Sequence, residues 1–343
     1  MRLKLILPML FITGVLSAQT VKDWFTKPSL AAASQITEKY SVQDNKFKTI
    51  PLVMLKASFG QNTPFTVNLL YDIPNTQFLT VEAIWQPIHQ IGIHIGLQKM
   101  LFQYETTFAP YSYGIIGYSQ ASSYLGGYSS DYTGISSRSR DWGLVLQGSF
   151  WPEEGFSKFS YAVGVFNGNG YNFKDDNKAK DIHGRLVFQP NRNLTFTLGG
   201  MLGYYTPLHE DGPGHHHWHT DEGLACRRRI TAGVWYDNGK LFVRSENVYG
   251  KTDGMMSDGA MVLLGYKFLS RLQLSSRVDR FQRDLTDPLS TSTKLDFCFT
   301  HFLTKDGTIY YAIQYGHNFF SDPNIPGTDT IMVCLNLALL RKF

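Results

Sequence analysis

The sequence predicts an all-β fold: a transmembrane antiparallel β-barrel of about 16 strands with one long loop folded inward to constrict it. Three observations carry the prediction. From about residue 48 onward the chain falls into segments of roughly ten residues in which apolar and polar positions alternate with period two. Beyond Ala18 no stretch approaches the roughly 18 uninterrupted apolar residues of a membrane helix, yet the chain holds 19 Tyr, 24 Phe, 6 Trp and 31 Gly. It also closes on an alternating apolar stripe, Ile331, Val333, Leu335, Leu337 and Leu339, that ends in Phe343. In lipid only helices and closed barrels satisfy their own backbone, so an exported, helix-free membrane chain must be a barrel.

Export is read from the first residues. Met1-Arg2-Leu3-Lys4 precedes an apolar run from Leu5 to Leu16 and then Ser17-Ala18-Gln19, the pattern of a signal peptide spanning 1–18. Leu16 departs from the small-residue rule at the cleavage site. Residues 19–47 show no clear alternation and are expected to form an irregular N-terminal segment, with the barrel occupying 48–343.

The strands follow in order. Ile91, Ile93, Ile95 and Leu97 point one way, and Gly92, His94, Gly96 and Gln98 the other. Ile182, Leu186 and Phe188 oppose His183, Arg185 and Gln189; Leu295, Phe297 and Phe299 oppose Lys294, Asp296 and Thr300. Fifteen such segments can be counted, near 48–59, 65–72, 76–86, 90–98, 141–151, 157–167, 181–190, 193–205, 226–236, 239–249, 258–268, 270–282, 291–303, 307–317 and 329–343. A barrel with both termini at one end needs an even number. The sixteenth strand therefore lies before residue 48 or within 99–140. Tight turns at Pro190-Asn191-Arg192-Asn193, Asp237-Asn238-Gly239-Lys240 and Lys305-Asp306-Gly307 alternate with longer loops near 168–180, 206–225, 250–257, 283–290 and 318–328. Short turns on the periplasmic side and long loops outside are the rule for such barrels.

Composition narrows function. The formal net charge of +4 includes Arg2 and Lys4, leaving about +2 with acids and bases mixed throughout, which is no footprint for nucleic acid. Three cysteines, Cys226, Cys298 and Cys334, exclude a complete disulfide framework. Cys298 and Cys334 should face inward from strands separated by one intervening strand, beyond disulfide reach. No nucleophile motif accompanies His317-Asn318 near Ser321, so no enzyme is expected.

Residues 90–190 resemble the phosphate-selective porin O/P family of outer-membrane channels. The pieces stand in order: Ile95-Gly96-Leu97-Gln98-Lys99-Met100-Leu101-Phe102, then Arg140-Asp141-Trp142-Gly143-Leu144-Val145-Leu146-Gln147-Gly148. Tyr161-Ala162-Val163-Gly164-Val165-Phe166-Asn167-Gly168-Asn169-Gly170 follows, then Asp175-Asp176-Asn177-Lys178 and Gly184-Arg185-Leu186, with an echo at Arg277-Val278-Asp279-Arg280-Phe281. The likeness covers about a third of the chain. It implies a 16-stranded channel narrowed by an inward loop, and a homotrimer, without establishing phosphate selectivity.

Extending the alternation places Arg185, Arg244, Glu246, Arg277, Asp279, Lys294 and Asp296 on the inward face. Cations there would favour anions, though interleaved acids would partly cancel the field. The candidate constriction loop, 99–140, is rich in Tyr, Ser and Gly and carries cations only at its ends, at Lys99, Arg138 and Arg140. Its tyrosines Tyr104, Tyr111, Tyr113, Tyr118, Tyr124, Tyr128 and Tyr132 either line an eyelet or pack the loop against the wall. A separate outward loop holds His209, His215, His216, His217 and His219 among acids, an imidazole density suited to zinc, nickel or copper. Arg227-Arg228-Arg229 beside it would meet lipopolysaccharide phosphates at the rim.

The expectation is an outer-membrane porin that passes small polar solutes or ions, weakly preferring phosphate-like anions, with outer-membrane lipids and lipopolysaccharide as its surroundings. Metal capture through the histidine loop, or a structural barrel subunit of a secretion system, are the alternatives.

Overall fold

The computed structural model describes residues 28–342 apart from 62, 110–112, 129–136, 172–174, 176, 206–207, 211–215 and 219–223. The expected signal peptide and Phe343 lie outside these. The chain forms β1 (Ser29–Ser41), β2 (Lys46–Phe59), β3 (Phe65–Asp72), β4 (Gln77–Ile88), β5 (Ile91–Lys99), β6 (Arg140–Glu153), β7 (Phe156–Phe166), β8 (Asp181–Asn191) and β9 (Leu194–Tyr205). Two short strands, β10 (Leu208–Glu210) and β11 (His216–Trp218), pair only with each other. Then come β12 (Ala225–Asp237), β13 (Leu241–Thr252), β14 (Met255–Leu269), β15 (Leu272–Gln282), β16 (Thr291–Phe302), β17 (Ile309–Phe320) and β18 (Thr328–Lys342).

All but β10 and β11 join one closed antiparallel ring, in which β9 pairs with β12 and β1 pairs with β18. That makes sixteen barrel strands. Closure removes the free sheet edge, so every barrel strand has a paired neighbour on both sides, although β2 outruns the shorter β3 and pairs with it only over Met54–Phe59. The register Ser29↔Lys342 brings the start of β1 and the end of β18 to the same end of the barrel, as an even strand number requires.

The fifteen expected strands are all present, and the sixteenth is β1, within the segment expected to be irregular. The correction has a physical reason. Ala31, Ala32, Ala33 and Ser34 put small residues on both faces, which leaves no period for alternation to show; of the outward positions only Leu30 and Ile36 are large, apolar and exposed. A second correction concerns 250–257, expected as a loop. It is a tight turn at Asp253 (φ 46°) and Gly254 (φ 91°), the Asp-Gly pair that a two-residue hairpin of type I′ favours.

Exposure alternates along the strands as the sequence requires. On β12, Ile230 and Val234 are exposed while Arg227, Arg229 and Thr231 are buried. This corrects the reading of Arg227-Arg228-Arg229 as a rim patch, because only Arg228 faces outward. Arg227 pairs with Asp181 at 2.7 Å, and Arg229 donates to the Lys251 carbonyl and the Thr252 hydroxyl. Three consecutive residues on a strand cannot share a face.

Outward aromatics gather at both strand ends. Trp85, Trp151, Phe188, Phe196, Tyr266 and Phe268 circle the end that bears the termini; Phe47, Phe78, Trp142, Tyr249, Tyr315 and Phe319 circle the other. Aliphatic Leu, Val and Ile fill the band between, the pattern of a barrel wall seated in a bilayer.

Cys298 and Cys334 are buried on the inward faces of β16 and β18 with β17 between them, and both are free thiols. Maleimide labelling of the folded protein in detergent should therefore modify Cys226 alone, and labelling after denaturation should modify all three. Fewer than three labels after denaturation without reductant would contradict the free-thiol assignment.

Candidate functional site

The segment between β5 and β6 does not cap the barrel; it enters it. Lys99 and Arg140 are directly opposed at the ends of the two strands, and both side chains line the interior cavity there. From there the chain crosses to the far wall, where inward side chains of β8, β13, β15 and β17 hold its backbone. Glu246 accepts the N–H of Tyr104 at 3.0 Å and of Glu105 at 2.8 Å. Arg185 donates to the Gln103 carbonyl, Gln273 to the Gly114 carbonyl and Arg277 to the Gly117 carbonyl. Gln314 both accepts from the Ile116 N–H and donates to its carbonyl, and Asp279 accepts the Gln120 N–H at 2.7 Å. A loop backbone inside a barrel must find such partners, since water cannot reach all of it.

The loop also stabilises itself. Glu105, fully buried, accepts from the Ser119 N–H at 2.8 Å and from the Ser119 and Ser122 hydroxyls. Ser119 caps a one-turn helix α1 (Gln120–Tyr124). Gly199 is required where the loop meets β9: a Cβ there would lie 1.8 Å from the Phe102 carbonyl oxygen.

Beneath this contact half of the interior is filled. Tyr113 and Ile115 from the loop pack with Trp235, Phe242, Met261, Leu263, Cys298, Tyr310, Ala312 and Cys334 from the wall of β12–β18. The Arg244 guanidinium is boxed by rings, 4.6 Å from the Phe242 centroid and 5.0 Å from Trp235, and donates to the Tyr113 carbonyl. Toward the terminal end a vestibule opens beside Gly114, Phe242, Lys267 and Asp306. Hydrogen bonds from the Thr304 and Thr308 side chains hold the Asp306 carboxyl below the usual carboxylate range, so it stays ionised there.

The other half, against β1–β6, stays open. One cavity of about 400 Å³ runs beside Ala31, Met54, Lys56, Glu82, His94, Lys99 and Arg140. A second, of about 530 Å³, runs beside Thr37, Lys39, Lys294 and Thr330. The two share Leu52, Tyr118, Tyr128 and Arg138 as lining, so they form one lane along the β1–β5 wall beside the loop, bordered in the second cavity also by Lys294, Asn318, Thr330 and Met332 of β16–β18. Arg138 (φ 50°) and Ser139 (φ 56°) both take left-handed backbone as the chain turns into β6, unusual for residues with a Cβ. Arg138 pairs with the buried Asp72 from that position.

The candidate cations thus divide. Arg185, Arg244 and Arg277 hold the loop, and Arg277 is further paired with Asp296 at 2.7 Å. Lys99 lines the lane yet spends its ammonium on the carbonyls of Thr106, Thr107 and Phe108. Arg138, Arg140 and Lys294 border the open space. Arg140 donates to the Arg138 carbonyl at 2.9 Å, and its Nε has no partner among the described residues. Sequence reasoning missed Lys39 and Lys56, because β1 was not recognised as a strand and no inward face was assigned to β2. The tyrosines divide too: Tyr113 is core, whereas Tyr118 and Tyr128 edge the lane. Tyr111 and Tyr132 lie outside the described residues.

In the histidine loop, His209 is opposed to His217 and Glu210 to His216 across β10 and β11. His215 and His219 lie outside the described residues. Among the described residues no three or more His, Cys, Asp or Glu side chains gather as a metal site.

No protein-family model matches the sequence, and no curated protein does. The fold, by contrast, has many solved counterparts. An anion-selective porin from Comamonas acidovorans superposes with a TM-score of 0.63 at 10% identity, over 91% of this chain and 98% of that one. The trimer form of OmpT, an outer membrane protein of Vibrio cholerae, gives 0.65 at 9% identity, over 91% and 99%. OprB of Pseudomonas putida gives 0.61 at 11% identity, over 95% and 97%. The architecture is that of the porins.

Glu246 is the anchor most exposed to test. Each hydrogen bond to a charged group contributes roughly 1.5–3 kcal/mol, and Glu246 makes two to the loop backbone and one to the Thr231 hydroxyl. Glu246→Ala should free the loop, raising single-channel conductance and current noise and exposing 100–139 to protease. A quiet channel of unchanged conductance would show that the loop does not depend on this carboxylate.

Proposed function

We propose that the chain is a passive diffusion channel of the bacterial outer membrane that prefers small anions, phosphate-like ones among them. One observation carries the reading. Where the lane borders open space, the ionic groups left uncompensated are cations. Lys39, Lys56 and Arg140 have no carboxylate within ion-pair distance among the described residues. The carboxylates near it are engaged: Asp72 with Arg138, Glu82 with His94 at 2.7 Å, and Asp296 with Arg277 and with Lys294 at 3.0 Å. Glu246 and Asp279, facing the loop from the wall, accept its N–H groups instead, and Glu105 within the loop accepts an N–H and hydroxyls of the loop itself. In a narrow, low-dielectric passage such an excess concentrates anions. Porin-like architecture and the aromatic girdles support the membrane setting; the trimeric OmpT counterpart supports a homotrimer, and exposed Arg228 suits a lipopolysaccharide phosphate.

A second reading, capture of zinc, nickel or copper outside the pore, is supported by the β10–β11 register that sets His209 opposite His217. Zinc titration of the refolded protein should show binding that is lost when His215, His216, His217 and His219 are changed to Ala. Equal binding by both proteins would end that reading.

For the channel, planar-bilayer recordings under a KCl gradient should give discrete ohmic steps with a reversal potential on the chloride side. Lys39→Glu and Lys56→Glu should each lower the anion-to-cation permeability ratio at least about twofold, ~0.4 kcal/mol per site. Cation-selective steps from the unaltered protein would defeat the anion preference, and no steps at all would defeat the channel.

A further inference from the structure

The wall of the lane breaks the rule by which the barrel was recognised. Interior positions of a water-filled barrel are polar, yet β2 places Ile50, Leu52 and Met54 on its inward face, between Lys48 and Lys56. The register settles the face: Lys48 is opposed to Lys39, Ile50 to Thr37, Leu52 to Gln35, Met54 to Ala33 and Lys56 to Ala31. Across the next pairing Lys56 is opposed to Leu70, which borders the same cavity together with Leu79. The stripe from Ile50 to Met54 is about 13 Å long at ~3.3 Å per residue. Its ends are marked by cations, Lys56 below and Lys39, Lys48 and Lys294 above.

Core packing does not account for it. The inward apolar residues of β12–β18 are covered by Tyr113 and Ile115 of the loop. Ile50, Leu52, Met54 and Leu70 belong to none of the interior hydrophobic clusters; Ile50 is 42% exposed although it faces inward, Leu52 and Leu70 are half-buried, and Met54, 7% exposed, is buried at the border of the cavity. Apolar surface facing a wet passage, with ammonium groups at both ends, is complementary to a solute that carries one negative charge and an apolar body.

Resting on the channel reading above, we infer that among the anions it passes the preferred permeants are amphipathic organic monoanions, short-chain or aromatic carboxylates, ahead of inorganic anions such as phosphate. The carboxylate steps between lysines at the ends of the stripe while its hydrocarbon slides over Ile50, Leu52 and Met54. Inorganic phosphate finds the same cations but nothing on the apolar wall.

The test uses the full-length mature protein in planar bilayers, carrying chloride current, with acetate, butanoate, hexanoate, hexylammonium or inorganic phosphate added. Partial burial of hydrocarbon should lower the half-blocking concentration about twofold per methylene, less than full burial gives. Hexanoate should therefore block well below acetate, phosphate should block no better than acetate, and hexylammonium should block weakly. Leu52→Asn with Met54→Gln should flatten the carboxylate series; Met54→Gln alone, closer in shape, serves if the double variant does not assemble. Leu55→Met, on the lipid face, should leave the series as it is. A flat series in an anion-selective channel overturns this inference and leaves the channel reading intact, as does hexylammonium blocking as well as hexanoate. Absence of anion-selective current overturns the channel reading and this one with it.

Discussion

Every feature of this molecule depends on the pairing of β1 with β18. Thirteen consecutive residues of β1 are in register with β18 on one side and with β2 on the other. Without that seam two strand edges would present unpaired N–H and C=O groups to hydrocarbon, at several kcal/mol for each group. Closure makes the interior a separate environment from the lipid, which is why successive residues on one strand can differ as sharply as exposed Ile230 and buried Arg229.

The interior so enclosed is then divided by the loop that enters from between β5 and β6. Its docking uses wall carboxylates as acceptors for loop N–H groups and wall guanidinium and amide groups as donors to loop carbonyls. Glu246 and Arg244, two residues apart on β13, do one each. A long polar segment can lie inside a barrel only because its backbone is satisfied this way. The consequence for function is indirect. Binding the loop consumes the acids of the β13–β15 wall and most of the arginines, and leaves the lysine-bearing β1–β2 wall facing open space.

Much of this could be read from the chain. Ile91 to Leu97, Leu295 to Phe299 and the stripe ending β18 announce their strands because one face needs large apolar groups against lipid and the other does not. The same logic placed Arg185, Arg244, Glu246, Arg277 and Asp279 inward, and bounded the inserted loop to the residue at Lys99 and Arg140. β1 escaped notice because alanines satisfy either environment. The apolar inward face of β2 was hidden differently: in Pro51-Leu52-Val53-Met54-Leu55 both faces are apolar, so the alternation vanishes where it would have been informative.

Sequence by itself determined the period-two wall, the even strand number, the place of the long loop and the inward charges of the strongly alternating strands, such as Arg185, Arg244 and Arg277. These are local matters, set by the geometry of a strand and the demand of lipid for apolar side chains. Only the tertiary structure decided which of those charges remain available. Whether a cation faces a solute or a carbonyl depends on a backbone more than a hundred residues away, as Arg277 bound to Gly117 shows. The course of the loop across the barrel, and hence the side on which the lane stays open, follows from contacts between distant strands that no local pattern encodes.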